Sequence, residues 1–175
     1  MTPLEIKPYI TQQDLQKKVA EIGLALTKKY KNKKLVAICV LKGSFMFYSD
    51  LIRQIDADLT CEFFGVSSYH GKSSSGEVKV TLDLAHPIEG QHVLLVEDIV
   101  DTGLTMNYLK QSILSRKPAS LTTVALLEKP ESLKVPCDLD YVGFKISNEF
   151  VVGYGLDYDG FYRNLPFIGQ VQNFQ

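Results

Sequence analysis

The hydrophobic pattern changes period several times along the chain. Leu15, Val19, Ile22 and Leu26 recur at helical spacing, and Thr11 followed three residues later by Asp14 has the form of a helix start. This spacing predicts an amphipathic helix ending near Tyr30. Leu35-Val-Ala-Ile-Cys-Val-Leu41 is an unbroken apolar run, the signature of a strand covered on both faces in a parallel sheet. Val93-Leu-Leu-Val96 is another, and the largely apolar Leu121-Thr-Thr-Val-Ala-Leu-Leu127 reads as a third strand, with a helical stretch from about Thr105 to Arg116, closed by Pro118, between them. Strand, helix and strand in that order make a βαβ unit. Val78, Val80, Leu82 and Leu84 alternate with Lys79, Thr81 and Asp83, which suits a half-exposed edge or hairpin strand. The polar stretch Ser67-Ser-Tyr-His-Gly-Lys-Ser-Ser-Ser-Gly76 has nothing to pack and is expected to be a mobile loop. From Val135 onward the pattern is irregular, and this end is expected to form a small cap on a mostly parallel α/β sheet.

With 175 residues, 45% of them apolar and 22% charged, the chain can bury a core without staples. No repeat, linker or composition shift divides it, so residues 1–175 are read as one domain. Nineteen basic against 20 acidic side chains give a formal charge of −1, which provides no general field for a nucleic-acid backbone. A small anionic ligand needs only a local site. Cys39, Cys61 and Cys137 are odd in number, widely spaced and set in or beside apolar sequence, so buried free thiols are expected. The first residues do not resemble a signal peptide and no run approaches the ~18 apolar residues of a membrane span, so a cytoplasmic protein with no membrane partner is expected.

The chemistry concentrates in Val93-Leu-Leu-Val-Glu-Asp-Ile-Val-Asp-Thr-Gly-Leu-Thr105. A buried strand runs into two adjacent carboxylates and then into Asp101-Thr102-Gly103-Leu104-Thr105, which opens a helix. A helix start at the carboxyl end of a parallel strand offers free N–H groups to an anion. Thr102, Thr105 and the backbone amides from Asp101 to Thr105 can cradle a phosphate, with Gly103 allowing the tight turn. Glu97 and Asp98 would repel that phosphate and instead suit Mg2+ or sugar hydroxyls beside it. Lys42-Gly43-Ser44 also follows a buried strand and precedes a helical stretch, making a second anion site at the same edge. Gly71-Lys72-Ser73 looks like the end of a P-loop, but the glycine required five positions earlier is Val66. His70, His86 and His92 lack metal-ligand spacing and no G-x-S-x-G elbow occurs, so a hydrolase gains no support.

The segment Val93–Thr105 resembles the phosphoribosyl pyrophosphate motif of type I phosphoribosyltransferases, and the whole chain is similar to the bacterial hypoxanthine-guanine group of that family. The resemblance implies a type I phosphoribosyltransferase fold: a mostly parallel central sheet flanked by helices, with a small hood. It implies that Leu41, Lys42 and Gly43 bind pyrophosphate, commonly with a cis peptide between Leu41 and Lys42, and that Arg163 reaches the same group. Ser68-Tyr69 matches the pair in the family's flexible catalytic loop, here Ser67 to Lys79. Lys129 matches the lysine that donates to the purine 6-oxo group, Phe150 the aromatic that stacks on the base, and Val151 the residue whose backbone pairs with it. A lysine has donors and no acceptor, so it selects oxo over amino bases. Asp157 matches a carboxylate for a second Mg2+, with Glu97 and Asp98 serving the first metal and the ribose hydroxyls. Asp101 is placed to accept the purine N7 proton.

The implied activity is purine salvage: Mg2+-dependent transfer of 5-phosphoribosyl from phosphoribosyl pyrophosphate to N9 of hypoxanthine or guanine, giving IMP or GMP and pyrophosphate. Relatives are dimers or tetramers, which implies a homo-oligomer. Two alternatives stay open: transfer to xanthine or another base, and a nucleotide-sensing RNA-binding regulator on the same fold. The near-zero net charge gives no sign of the regulator's basic face.

Overall fold

The computed structural model describes residues 5–68 and 78–172. In chain order the elements are β1 (Ile6–Ile10), α1 (Gln12–Lys29), β2 (Leu35–Leu41), α2 (Phe45–Ile52), β3 (Leu59–Ser68) and β4 (Val78–Leu82). There follow β5 (His92–Val100), α3 (Leu104–Leu114), β6 (Ser120–Glu128), a 3-10 turn (Pro130–Ser132), β7 (Tyr141–Lys145), β8 (Val151–Val152) and β9 (Ile168–Val171).

Six strands form one sheet in the order β4-β3-β2-β5-β6-β7. All its pairings are parallel except β3 with β4. The apolar runs fall at its centre: every residue of β2 from Leu35 to Val40 is buried, as are Val93 to Val96 of β5. Leu35, Ala37 and Cys39 pack towards α1 and α2, while Val36, Ile38 and Val40 pack towards α3. Two-sided cover explains why these strands lack alternation. At the start of α1, Thr11 Oγ1 accepts from the Asp14 N–H and donates to the Asp14 carboxylate at 2.6 Å. The expected helix thus begins with its cap in place and ends at Tyr30.

Chain direction across the sheet reverses beside β2. From β2 the chain steps outward to β3 and β4, then returns to place β5 on the other side of β2. The crevice at the carboxyl ends of β2 and β5 is therefore the topological switch point, where α/β sheets bind ligands. Both anion-binding segments expected from the sequence lie on it.

Three expectations need correction. The irregular end does not all become a cap, since β7 joins the main sheet beside β6. The hood is a separate three-stranded antiparallel sheet, β1-β9-β8, so it also recruits the first strand. Cys39 and Cys137 are buried free thiols, but Cys61 is exposed. Its strand β3 lies one position from the sheet edge, and its face at Cys61 and Phe63 is only partly covered by α2, with Tyr48 the ring beside Phe63. The expected mobile loop lies, apart from Ser67 and Ser68 at the end of β3, outside the described residues, and so does Tyr69. No helix among the described residues is long and apolar enough to cross a membrane.

Candidate active site

β5 delivers Glu97 and Asp98 to the crevice, and residues 101–103 turn into α3 around a cavity of about 130 Å³. The turn depends on Gly103, the residue preceding α3, which sits at φ 81°. Its N-cap residue, Gly103, has no side chain to cap the helix and no acidic residue occupies the first turn, in contrast to α1 with Thr11 and Asp14. The first amides of α3 therefore face the cavity without a carboxylate competing for them, which suits an anionic ligand. Thr102 and Thr105 line the same cavity, and Thr102 Oγ1 accepts from the Leu104 N–H at 3.4 Å. Asp101 is exposed at the turn.

The second loop comes from β2. The Leu41–Lys42 peptide is cis, as the resemblance implied. Lys42 is exposed beyond it, and Ser44 is fully buried, its hydroxyl donating to the Val40 carbonyl oxygen. This loop touches the acidic pair of β5: a side chain on residue 43 would occupy the position of Asp98 Oδ2. Asp98 Oδ1 accepts from the Ile99 N–H at 2.7 Å, which fixes the carboxylate against Gly43.

Glu97 is held differently. Its Oε2 is buried with no hydrogen-bond partner among the described residues. Burial, and then the adjacent Asp98 charge, hold the Glu97 carboxyl well above its usual range. Burial also raises Asp98, against the Ile99 amide and the Arg163 charge, which pull it down. An orphaned carboxylate oxygen beside a second carboxylate suits a hydrated Mg2+, which takes one or two carboxylates and completes its shell with water and substrate oxygens. Among the described residues no cluster of three or more ligating side chains forms a closed metal cage.

The hood lies against the second loop, where Gly155 meets the Gly43 carbonyl. Phe150 and Val151 precede β9 on β8 and its approach, with Val151 buried and Tyr158 edge-on to the Phe150 ring at 5.8 Å. Asp157 and Arg163 are brought together, Nη2 of Arg163 lying 2.6 Å from Oδ1 of Asp157. Arg163 also donates to the Gly155 carbonyl oxygen, and Asp157 Oδ2 accepts from the Gly160 N–H at 2.7 Å. The arginine thus crosslinks the hood turn in addition to lending charge to Asp98. Lys129 follows β6, its N–H donating to the Val100 carbonyl oxygen at 2.9 Å, so it stands at the same sheet edge as residues 97–103.

Sequence reasoning missed Asp50 and Tyr154. Tyr154 Oη donates to Asp50 Oδ2 at 2.6 Å, joining the hood to α2. The available signals were a lone acid in the apolar helix Phe45–Ile52 and a tyrosine between two glycines.

Residues 9–159 match the family described as the phosphoribosyl transferase domain. The chain is 49% identical to a hypoxanthine-guanine phosphoribosyltransferase of Staphylococcus aureus, over 93% of this chain and 92% of that protein. It superposes on the crystal structure of a hypoxanthine-guanine phosphoribosyltransferase from Bacillus anthracis with a TM-score of 0.91 and 46% identity, covering 95% of this chain and 99% of that one. A Staphylococcus aureus hypoxanthine phosphoribosyltransferase structure gives a TM-score of 0.90 at 48% identity, covering 95% and 91%.

Proposed function

We propose, from the premise that this chain belongs to the phosphoribosyl transferase domain family, that it is a purine-salvage enzyme of the hypoxanthine-guanine group. It transfers 5-phosphoribosyl from phosphoribosyl pyrophosphate to N9 of hypoxanthine or guanine. The observation that carries this reading is the convergence at the switch point of the loop at Gly43, the carboxylates of β5 and the turn into α3, with Asp98 against Gly43 and the hood beside them. A substrate with a phosphate at one end and a pyrophosphate at the other needs two such loops held at a fixed separation.

The reaction breaks the C1′–oxygen bond to pyrophosphate, whose oxygen keeps the electron pair, and forms C1′–N9. Positive charge develops on the ribose and negative charge on the leaving group. The protein's task is therefore geometry and charge placement, with no covalent nucleophile required. Thr102, Thr105 and the amides of residues 101–105 hold the 5′-phosphate. Glu97 and Asp98 orient the ribose hydroxyls, and Lys42 and Arg163 face the pyrophosphate. One Mg2+ held through Glu97 and Asp98, and a second at Asp157, would neutralise leaving-group charge when bound. Lys129 donates to the 6-oxo group, Phe150 stacks on the ring and Val151 pairs through its backbone. Asp101 takes the N7 proton of the attacking base, a contribution typically worth about 10²- to 10⁴-fold.

We read residues 1–175 as one such domain acting in the cytoplasm as a homo-oligomer. The test is nucleotide formation with hypoxanthine, guanine, xanthine, adenine and uracil in parallel, at saturating phosphoribosyl pyrophosphate and Mg2+. Turnover of hypoxanthine or guanine with little of adenine is expected. No turnover of any base, with nucleotide still bound, refutes the enzyme and leaves a sensor.

A further inference from the structure

Base-binding and pyrophosphate-binding residues come from distant stretches of chain, yet the hood rests directly on the second loop. Gly153, Tyr154 and Gly155 form a strap between Val151 and Asp157, and all three have left-handed φ values of 98°, 49° and 102°. At Gly155 this conformation brings the backbone against Gly43, where an added Cβ would lie 2.0 Å from the Gly43 carbonyl oxygen. Tyrosine is a poor choice for such a conformation on backbone grounds. Something other than local preference keeps it there.

Its side chain supplies the reason. Tyr154 is buried, and its Oη donates to Asp50 Oδ2 at 2.6 Å, while its N–H donates to the Leu165 carbonyl oxygen at 2.9 Å. Asp50 lies on α2, the helix that begins two residues after Gly43, and its other oxygen pairs with Arg53, the residue that ends that helix. Burial, and then the Asp50 acceptor, push the Tyr154 phenol well above its usual range, so it remains a donor. Ring packing alone would need no hydroxyl aimed at a carboxylate. The strap is thus fastened to the helix that carries the pyrophosphate loop, at the point where it also touches that loop.

We propose that Tyr154 and Asp50 are positioning residues that register the base pocket on the pyrophosphate loop, so that the two subsites are held as one body. Without the bond the strap relaxes from its left-handed conformation, Gly155 lifts from the Gly43 carbonyl, and Phe150, Asp157 and Arg163 shift relative to Lys42. Both subsites lose affinity together. This inference rests on the function proposed above for the roles of those groups.

The test compares Tyr154→Phe, Asp50→Ala and Asp50→Asn with the wild type. KM for hypoxanthine and for phosphoribosyl pyrophosphate, Kd for pyrophosphate by calorimetry, and Tm are measured well below unfolding. Tyr154→Phe and Asp50→Ala should each raise both the hypoxanthine KM and the pyrophosphate Kd by about fivefold or more, as loss of a hydrogen bond to a charged group allows. Asp50→Asn keeps an oxygen acceptor and should stay within about twofold of wild type. A lowered Tm with unchanged KM and Kd overturns the proposal and leaves a purely structural bond. Asp50→Asn as impaired as Asp50→Ala overturns it as well. Should Asp50→Ala fail to fold, Tyr154→Phe, which retains the ring, carries the test. A wild type that makes no nucleotide sinks the proposed function, while the pyrophosphate arm still tests the strap.

Discussion

Replacing Gly103 by alanine probes the turn proposed to bind phosphate with a perturbation whose size can be worked out. At φ 81° an alanine incurs the left-handed penalty of roughly 1–2 kcal/mol. Its Cβ would also stand 2.9 Å from the Val135 carbonyl oxygen and 3.2 Å from Cys137 Cβ. That carbonyl cannot retreat freely, because the Lys134 and Val135 N–H groups are bound to the Thr102 carbonyl oxygen at 3.0 and 3.4 Å. Crowding of this kind adds about 1–3 kcal/mol. The total of about 2–5 kcal/mol corresponds to a Tm lower by roughly 5–15 °C for a chain of this length. Displacement of the turn should also cut kcat/KM for phosphoribosyl pyrophosphate by about 100-fold. Gly90→Ala is the matched control, since Gly90 has φ 70° with nothing among the described residues within 4 Å of the added Cβ. It should show the backbone penalty alone, with normal kinetics. Thermal melts and steady-state kinetics read both effects. Equal Tm losses in the two variants, or an unchanged kcat/KM in Gly103→Ala, would refute the reasoning.

Asp101→Asn should lower kcat by about 100-fold or more while leaving KM nearly constant, because an exposed turn carboxylate used for the N7 proton adds little to binding; steady-state kinetics with unchanged kcat refute that role. Lys129→Gln adds an acceptor where only donors stood, so the ratio of hypoxanthine to adenine turnover should fall by about tenfold, and a constant ratio in a competition assay contradicts it. Burial and the Asp98 charge raise the folded-state carboxyl of Glu97, so its ionisation opposes folding. That opposition is absent below the ordinary carboxylate value near ~4.3 and grows as pH rises towards the folded value. Glu97→Gln should therefore raise the Tm of the ligand-free protein at neutral pH, with a gain that shrinks on acidification. A Tm difference independent of pH between about 4 and 8 argues against this.

What the sequence revealed follows from how each part is covered. β2, β5 and β6 were legible because burial on both faces writes continuous apolar runs. β3 was not, because its inward positions include Glu62 while Cys61 and Phe63 look outward. Glu62 is tolerated inside by the Ala85 N–H at 3.0 Å and His86 Nδ1 at 2.6 Å, partners that no local pattern announces. β8 has two residues, too few for any period. The turn at residues 101–105 stood out because polar residues directly behind a buried strand have few purposes other than a ligand. The tie between Asp50 and Tyr154 did not, because its partners lie 104 residues apart and neither breaks a local rule conspicuously.

The hood sheet pairs Ile6 with Val171 and Lys7 with Gln170. Nearly the whole chain must therefore leave the ribosome before β1 can find its partner. At roughly 5–20 residues per second the strand waits on the order of ten to thirty seconds during translation. The last strand of the main sheet ends at Lys145, ahead of Ile168, so the crevice between β2 and β5 can form before the hood sheet is complete. With the roles proposed above, a nascent chain would complete its phosphate site before its purine site.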